Sequence, residues 1–174
     1  MGKVIPTGID DQPIFSSSVP GAIATPGTLQ PSDAAAVTVG AYASGNCVGA
    51  LRTFASSVRA AALGGTIVSA LLRDKSGNNT SYDLFLFNAA PTTPTDKTAI
   101  ALVAADLAKC IGVVQFTGVS LGAAATFGIM TATGVGLGFK LPAGTSLYGI
   151  LVARGAPVYA ATTDVSVDLI VDPD

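Results

Sequence analysis

The sequence contains no histidine, no tryptophan and no glutamate, and only 11% of its 174 residues are charged. The absence of histidine excludes Ser-His-Asp and Cys-His catalytic centres as well as histidine-ligated metal sites. Two cysteines are too few for a four-thiolate metal site. Nine lysines and arginines, spread along a chain of net charge −2, do not form the basic cluster that nucleic acid requires. We therefore expect no nucleic-acid partner.

The low charge is combined with a mean hydropathy of +0.58, whereas about 25% of the residues of a typical soluble domain are charged. Either a membrane or other protein subunits would have to cover such a surface. The longest uncharged stretch, residues 110–139, contains seven glycines and several Ser and Thr. A membrane-spanning helix needs about 20 mostly apolar residues. Since Pro6 and Asp10 follow Met1-Gly2-Lys3, we also expect no secretory signal. These features favour cover by subunits and no membrane partner.

The missing glutamate, together with twenty glycines and ten prolines, lowers the expectation of long helices and favours a β-rich fold with many turns. From residue 34 onward, short alternating apolar runs are separated by turn signals. The predicted strands cover residues 35–41, 47–54, 66–73, 82–88, 111–117, 126–132, 146–153 and 165–171, with a further short one at 135–141. One short helix is predicted at Ala104 to Lys109. The sequence therefore predicts an all-β protein, an antiparallel β-sandwich of jelly-roll type with about eight strands.

Residues 1–33 differ from the rest and are predicted to form an extended N-terminal arm, followed by a β-sandwich domain at 34–174. Proline recurs every five to seven residues in this segment, which excludes a helix and disfavours a central strand. A solvated linker would not need the apolar residues scattered along it, which include Ile5, Ile14, Phe15, Val19 and Leu29. A disordered tail remains one interpretation. We favour an arm laid over its own domain or over a neighbouring subunit.

One predicted strand, Tyr82 to Asn88, is apolar on both faces. This pattern is typical of a strand that lies centrally in a sheet or at an interface. Phe85 and Phe87 are therefore predicted to be interface residues.

Three features that resemble functional sites have simpler structural interpretations. Asp74-Lys75-Ser76-Gly77-Asn78 lacks the alternating carboxylates of a calcium loop and is predicted to be a hairpin turn. The C-terminal acids are predicted to keep an exposed strand soluble; they are Asp164, Asp168, Asp172 and Asp174. Cys47 and Cys110 could be bridged, but two buried thiols are favoured. We therefore predict no catalytic residue, metal ligand or cofactor, and no enzyme.

Several stretches of the chain resemble a family of small virion proteins of tailed bacteriophages, the head decoration or capsid cement proteins. These stretches are Tyr82-Asp-Leu-Phe-Leu-Phe-Asn88, Asp106-Leu-Ala-Lys-Cys-Ile-Gly-Val113, Gly144-Thr-Ser-Leu-Tyr-Gly149 and Val152-Ala-Arg-Gly-Ala-Pro157. The resemblance covers roughly residues 35 to 171. It implies a non-enzymatic β-sandwich that binds the outside of an icosahedral shell, often as a trimer, and it supplies no catalytic residues.

The resemblance leads to a specific expectation of function. The chain would be made in the host cytoplasm and would bind the capsid exterior, with copies of itself and the major capsid protein as partners. Contacts would come from the arm residues Ile5, Ile14, Phe15, Val19 and Leu29, and from Phe85 and Phe87. The alternative is a glycan- or receptor-binding module of a phage tail. The lack of Trp and the presence of only four Tyr count against it, because sugar-binding clefts use aromatic platforms.

Overall fold

Two antiparallel sheets packed face to face make up the fold in the computed structural model, which describes residues 27–118, 120–121 and 127–174. The five-stranded sheet contains, in spatial order, β1 (Ser32–Asp33), β11 (Val165–Pro173), β4 (Gly64–Asp74), β8 (Gly128–Lys140) and β7 (Ser120–Leu121). The four-stranded sheet contains β3 (Arg52–Phe54), β9 (Leu147–Ala153), β5 (Tyr82–Phe87) and β6 (Cys110–Phe116). A small ribbon pairs β10 (Val158–Tyr159) with β2 (Gly40–Ala41), and a single helical turn, α1, spans Ala104–Leu107.

The strand pairing is that of a jelly roll. When the short strands β2, β7 and β10 are set aside, eight strands remain, among them the two-residue β1, whose pairing with β11 is extended by the bridge from Leu29 to Val171. Along the chain, the first of these pairs with the last (β1 with β11) and the second with the seventh (β3 with β9). The third pairs with the sixth (β4 with β8) and the fourth with the fifth (β5 with β6). This nesting of antiparallel pairs across two sheets confirms the predicted β-sandwich of jelly-roll type.

The core lies between the two sheets and follows the two-residue periodicity of the strands. Tyr82, Leu84 and Leu86 point from β5 into this core and are completely buried. They meet the inward residues of β11, Val165, Val167, Leu169 and Val171, which are also buried. Since β5 lies between β9 and β6, the predicted central position of residues 82–88 is confirmed.

Two details of the predicted strands are wrong. Residues 35–39 alternate in hydrophobicity, but they do not form a strand, because their amides bond elsewhere: Val37 N to the Thr162 carbonyl and Thr38 N to the Asp96 carboxylate. The first strand is instead β1, inside the segment assigned to the arm. The strands predicted at 126–132 and 135–141 form one strand, β8, which passes through Gly134 and Gly136 at φ values of 64° and 59°.

The single helical turn confirms the short helix predicted at residues 104–109. Its Asp106 is buried and accepts hydrogen bonds from the amides of Thr92 (2.9 Å) and Val103 (3.4 Å). These bonds hold the turn against the loop that precedes it. Within the part of the chain that the structure describes, no helix is long and apolar enough to cross a membrane.

Gly65 tests how closely β4 and β11 are packed. A Cβ atom at Gly65 would lie 2.7 Å from the carbonyl oxygen of Asp172, whereas at Gly138 on the paired strand it would meet nothing within 4 Å. We expect Gly65→Ala to lower the free energy of unfolding by about 1–3 kcal/mol, because backbone atoms must shift. Gly138→Ala, the matched control, should leave it unchanged or raise it by about 0.5–1 kcal/mol. Urea denaturation followed by circular dichroism measures both, and equal effects would contradict the predicted difference.

Candidate interaction surfaces

Most aspartate carboxylates in the described part of the chain bind backbone amides of the loops. Asp96 is the clearest case: it accepts hydrogen bonds from Thr38 N (2.7 Å), Gly49 N (2.7 Å) and the Tyr42 hydroxyl (2.8 Å). Desolvation alone would raise the pKa of Asp96, but these bonds outweigh it and hold the pKa below its ordinary value. Desolvation and the bond to Asp96 raise the pKa of Tyr42 far above its ordinary value. Asp96 therefore acts as an ionised acceptor that joins two loops.

A buried ion pair joins the two sheets at one edge of the sandwich. Arg52 on β3 is completely buried and its Nη1 lies 3.2 Å from Asp33 Oδ1 on β1. Its Nη2 donates to the Val48 carbonyl at 3.2 Å, and the other oxygen of Asp33 accepts from Thr53 N at 2.9 Å. Desolvation lowers the pKa of Arg52, while the charge of Asp33 acts in the opposite direction. The pair therefore depends on both partners being present.

The turn at Asp74 does not form a hairpin, because β4 belongs to the five-stranded sheet and the following β5 to the four-stranded sheet. The residues cross from one sheet to the other, and buried Asp74 holds the crossing by accepting from Ser76 N (2.8 Å) and Asn78 N (3.2 Å). Its Oδ2 also lies 3.3 Å from the Tyr82 hydroxyl. Burial raises the pKa of Asp74. The segment with the strongest turn signal in the sequence therefore connects the two sheets and does not form a hairpin within one sheet.

The C-terminal acids are only partly the solubilising residues that the sequence predicted. Asp164 is buried and accepts from the amides of Ala160 (2.9 Å) and Ala161 (2.8 Å) and from the Ser76 hydroxyl. Asp168 is 5% exposed and pairs with Arg73 at 2.5 Å across β11 and β4. Asp172 and Asp174 are exposed. Among the described residues no group of acidic or cysteine side chains is arranged to hold a metal ion.

The outer side of the five-stranded sheet presents an extended surface on β4 and β8 whose charged neighbours, Arg73 beside Ile129 and Asp168 beside Leu71, pair with each other. It consists of Phe127 before β8, alternate exposed residues of β8, Leu71 opposite Thr131, and Val68 at the bulge in β4. We call this surface the uncharged sheet face, and its members are Val68, Leu71, Phe127, Ile129, Thr131 and Thr133. Phe127 is 47% exposed, Val68 40% and Ile129 39%. The sequence carries no charge from Gly128 to Phe139 or from Gly64 to Leu72. Apolar side chains exposed together on one face are typical of a protein contact.

The chain itself covers the outer side of β5 and β9 in the four-stranded sheet, whereas Val113 and Gln115 on β6 are exposed. A second apolar cluster there contains Phe87, Cys47, Ile150 and Val152, all buried, with Phe85 partly buried against them. The loop at 92–101 lies over this cluster and leaves a cavity of about 170 Å³ lined by Thr and Pro residues together with Cys47 and Ile150. The apolar pattern on both faces of β5 is thus explained within one protomer.

The predicted contact residues are not brought together in the described part of the chain. Phe87 is completely buried and Phe85 partly so, both in the second cluster. Leu29 packs partly buried against the main core, and its backbone forms a bridge with Val171. Ile5, Ile14, Phe15 and Val19 lie outside the described residues.

Both cysteines are free thiols. Cys47 is buried and Cys110 half-buried, and both belong to the second cluster. Desolvation raises the pKa of the Cys47 thiol, as expected for an unreactive thiol. The favoured interpretation of two unbridged thiols agrees with this arrangement, although only one of them is fully buried.

The uncharged sheet face was missed as a site by sequence reasoning, although its signal was present. In the sequence, the uncharged stretch at 110–139 serves as an argument against a membrane helix, but it also contains most of the strand that presents this face. Its period-two alternation around Ile129, Thr131 and Thr133 would have assigned these residues to one face of a strand.

No protein-family profile, curated protein or solved structure matches this chain. The candidate surfaces therefore have to be interpreted from their own chemistry.

Asp96→Asn tests the aspartate–amide bonds. The pKa of Asp96 is lowered in the folded state. The carboxylate therefore contributes stability above the unfolded pKa of about 3.9, and this contribution is lost as the pH falls through the folded value. Losing the charged acceptor should cost roughly 1–3 kcal/mol at pH 7. It should also flatten the loss of stability between about pH 5 and pH 2.

Denaturant titrations at several pH values measure both effects. The exposed Asp172→Asn serves as the matched control and should leave the free energy of unfolding at pH 7 nearly unchanged. If Asp96→Asn lost stability as steeply below about pH 5 as the unaltered protein does, this role for Asp96 would be contradicted.

Proposed function

We propose that the chain is a non-enzymatic structural protein of a tailed-bacteriophage virion that binds the capsid exterior and stabilises the shell. It acts there as a homo-oligomer, with a trimer favoured. The resemblance of its sequence segments to head decoration proteins supports this proposal. A jelly roll can serve many functions, so the fold alone does not select one.

The uncharged sheet face is the observation that carries the proposal. It presents Phe127, Val68 and Ile129, each at least 39% exposed, beside exposed threonines on or next to the paired long strands β4 and β8. Covering such a surface with another protein costs little desolvation energy, because its named members are uncharged and the adjacent Arg73 and Asp168 already pair with each other. We assign this face to the contact with the shell.

The positions of the tyrosines argue against the glycan-binding alternative. Tyr42, Tyr82 and Tyr159 are buried, and Tyr148 is half-buried in the second cluster. None of the four presents an open ring face of the kind on which a sugar stacks. The tyrosines instead serve the interior: Tyr82 and Tyr159 share a hydrogen bond of 2.9 Å between their hydroxyls.

Thr131→Lys tests the proposed contact, because Thr131 is exposed at the centre of the uncharged sheet face. An unpaired ammonium buried in an interface costs several kcal/mol, so we expect binding to weaken at least tenfold. The assay is co-sedimentation of the purified chain with heads of the tailed phage that encodes it, stripped of the protein beforehand.

The matched control for this assay is Thr163→Lys, in an exposed loop, which should bind as the unaltered chain does. Equal binding by both variants would remove the shell contact from this face. Failure of the unaltered chain to bind heads would overturn the proposed function, and binding to a glycan array would favour the alternative.

Two truncations separate the arm from the sandwich. Removing residues 1–26 leaves the Asp33–Arg52 ion pair in place, so the domain should stay folded while its occupancy on shells falls sharply. Removing residues 1–33 also leaves Arg52 buried without its partner, which should cost about 3–5 kcal/mol of stability. Thermal unfolding and head co-sedimentation measure the two effects. Normal occupancy after removal of residues 1–26 would show that the arm does not bind the shell.

A further inference from the structure

Strand β6 forms an edge of the four-stranded sheet and differs from the other sheet edges in the described part of the chain. It is seven residues long and pairs only with β5 there. The other edge of its sheet, β3, has three residues, and the edges of the five-stranded sheet, β1 and β7, have two each. In the described part of the chain β8 is also unpaired on one side beyond Ile129, but left-handed glycines at 134 and 136 interrupt it, so β6 offers the more regular ladder for another strand.

The regular part of β6, from Gly112 to Phe116 beyond the bulge at Ile111, lacks the charges and prolines that usually protect a sheet edge. Natural edge strands carry lysine, proline or inward-pointing charges that block pairing with other chains. Between Cys110 and Phe116 there is neither a charged residue nor a proline. Val113 is 43% exposed and Gln115 is also exposed, so the outer side of this edge is open to a neighbour.

The chain itself contains a segment that matches this edge. Between Pro13 and Pro20 lies the six-residue sequence Ile14-Phe15-Ser16-Ser17-Ser18-Val19, which is uncharged and free of proline. Its length is close to that of β6, and the flanking prolines would end a ladder on both sides because they donate no hydrogen bond. Its Ile, Phe and Val favour an extended, half-buried strand.

The neighbouring proline-bounded segments match less well. Residues 7–12 include the adjacent Asp10 and Asp11, whose charges would lie against an uncharged edge. Residues 21–25 are shorter and begin with a glycine, and they contain a single large apolar residue, Ile23. The segment 14–19 is therefore the part of the arm that β6 would select.

The place where the arm joins the domain favours a second copy as the donor. Leu29 is paired with Val171 on β11, beside the β1 edge that lies against β3. β6 lies at the other side of the sandwich, against β8, where a Cβ at Gly112 would touch the Leu137 side chain. An arm leaving one side and a receiving edge on the other form a head-to-tail contact, which closes into a ring when the rotation allows.

We propose that residues 14–19 of one copy add as a strand to β6 of the next copy and so link the protomers into a closed oligomer. This inference deepens the oligomer of the proposed function and rests on it. Residues 20–26 span up to about 25 Å when extended, enough to reach from Gly27 to an adjacent protomer. Main-chain hydrogen bonds supply the attachment, and Phe15 is available to pack beside Val113.

The test places a photo-crosslinking amino acid, p-benzoylphenylalanine, at Val113 in the full-length chain. Equal amounts of ¹⁵N-labelled and unlabelled protein are mixed under conditions of subunit exchange, irradiated and mapped by mass spectrometry. We expect crosslinked peptides that contain residues 14–19 and combine the two isotopes. The same probe at Thr131, exposed on the other sheet, should give no crosslink to this segment.

A second variant checks the segment itself. Ser17→Pro interrupts the ladder at its centre, so the crosslink yield at Val113 should fall at least tenfold and the mass measured by light scattering should fall to that of one chain. Thr7→Pro, outside the segment, should change neither. Crosslinks only within single-isotope peptides would show that the arm folds back onto its own β6, which overturns the proposal, as would the absence of crosslinks to residues 14–19.

These outcomes are separate from those of the proposed function, because no shell is present in the experiment. Mixed-isotope crosslinks in a chain that does not bind heads would leave the strand exchange standing and remove the decoration role. Binding to heads by a chain without such crosslinks would do the reverse.

Discussion

The hydrogen bond from a backbone amide to an aspartate carboxylate is the interaction on which this jelly roll depends. Long connections between its strands leave amides without a partner in a sheet, and a buried amide without a partner is costly. Asp33, Asp74 and Asp164 each bond an amide two to four residues away. A short side chain reaches such amides with little loss of rotamer freedom. This use of carboxylates gives a physical reason for a composition in which every acid is Asp.

The same bonds determine the character of the surface. A carboxylate that is committed to loop amides or to Arg52 and Arg73 does not contribute charge to the exterior. Asp106 and Asp164 are acids and yet are buried. The pKa of Asp106 is lowered chiefly by the hydrogen bond from Thr92. Desolvation would raise the pKa of Asp164, but its hydrogen bonds outweigh this effect and lower it. In the described part of the chain five charged residues are buried, namely Arg52, Asp74, Asp106, Asp164 and Asp168. The uncharged sheet face is the external counterpart of this internal arrangement.

The sequence was informative where a side-chain pattern is local and uninformative where the partner is remote. The alternation of Val165, Val167, Leu169 and Val171 predicted β11, and the two-faced apolar strand predicted the central place of β5. The role of Asp96 was not predictable, because its partner Thr38 is 58 residues away. The strand predicted at residues 35–39 is wrong because of similarly remote partners. These residues alternate in hydrophobicity, but their amides donate hydrogen bonds to the distant Asp96 carboxylate and to the Thr162 carbonyl. The predicted interface role of Phe87 stays untested, since its burial under the 92–101 loop already explains its apolar character.

Residues 27–33 are fastened to both sheets of the sandwich. Arg59 Nη2 donates to the Gly27 carbonyl at 2.7 Å, and Leu29 exchanges backbone hydrogen bonds of 2.7 and 2.8 Å with Val171. Four residues later, Asp33 joins β1 to the buried Arg52 of the opposite sheet. The chain after Gly27 is therefore attached first to the edge of the five-stranded sheet and then, through the ion pair, to both sheets. Because Asp33 joins both layers, an arm that links subunits as proposed would be anchored to the whole sandwich and not to a single edge strand.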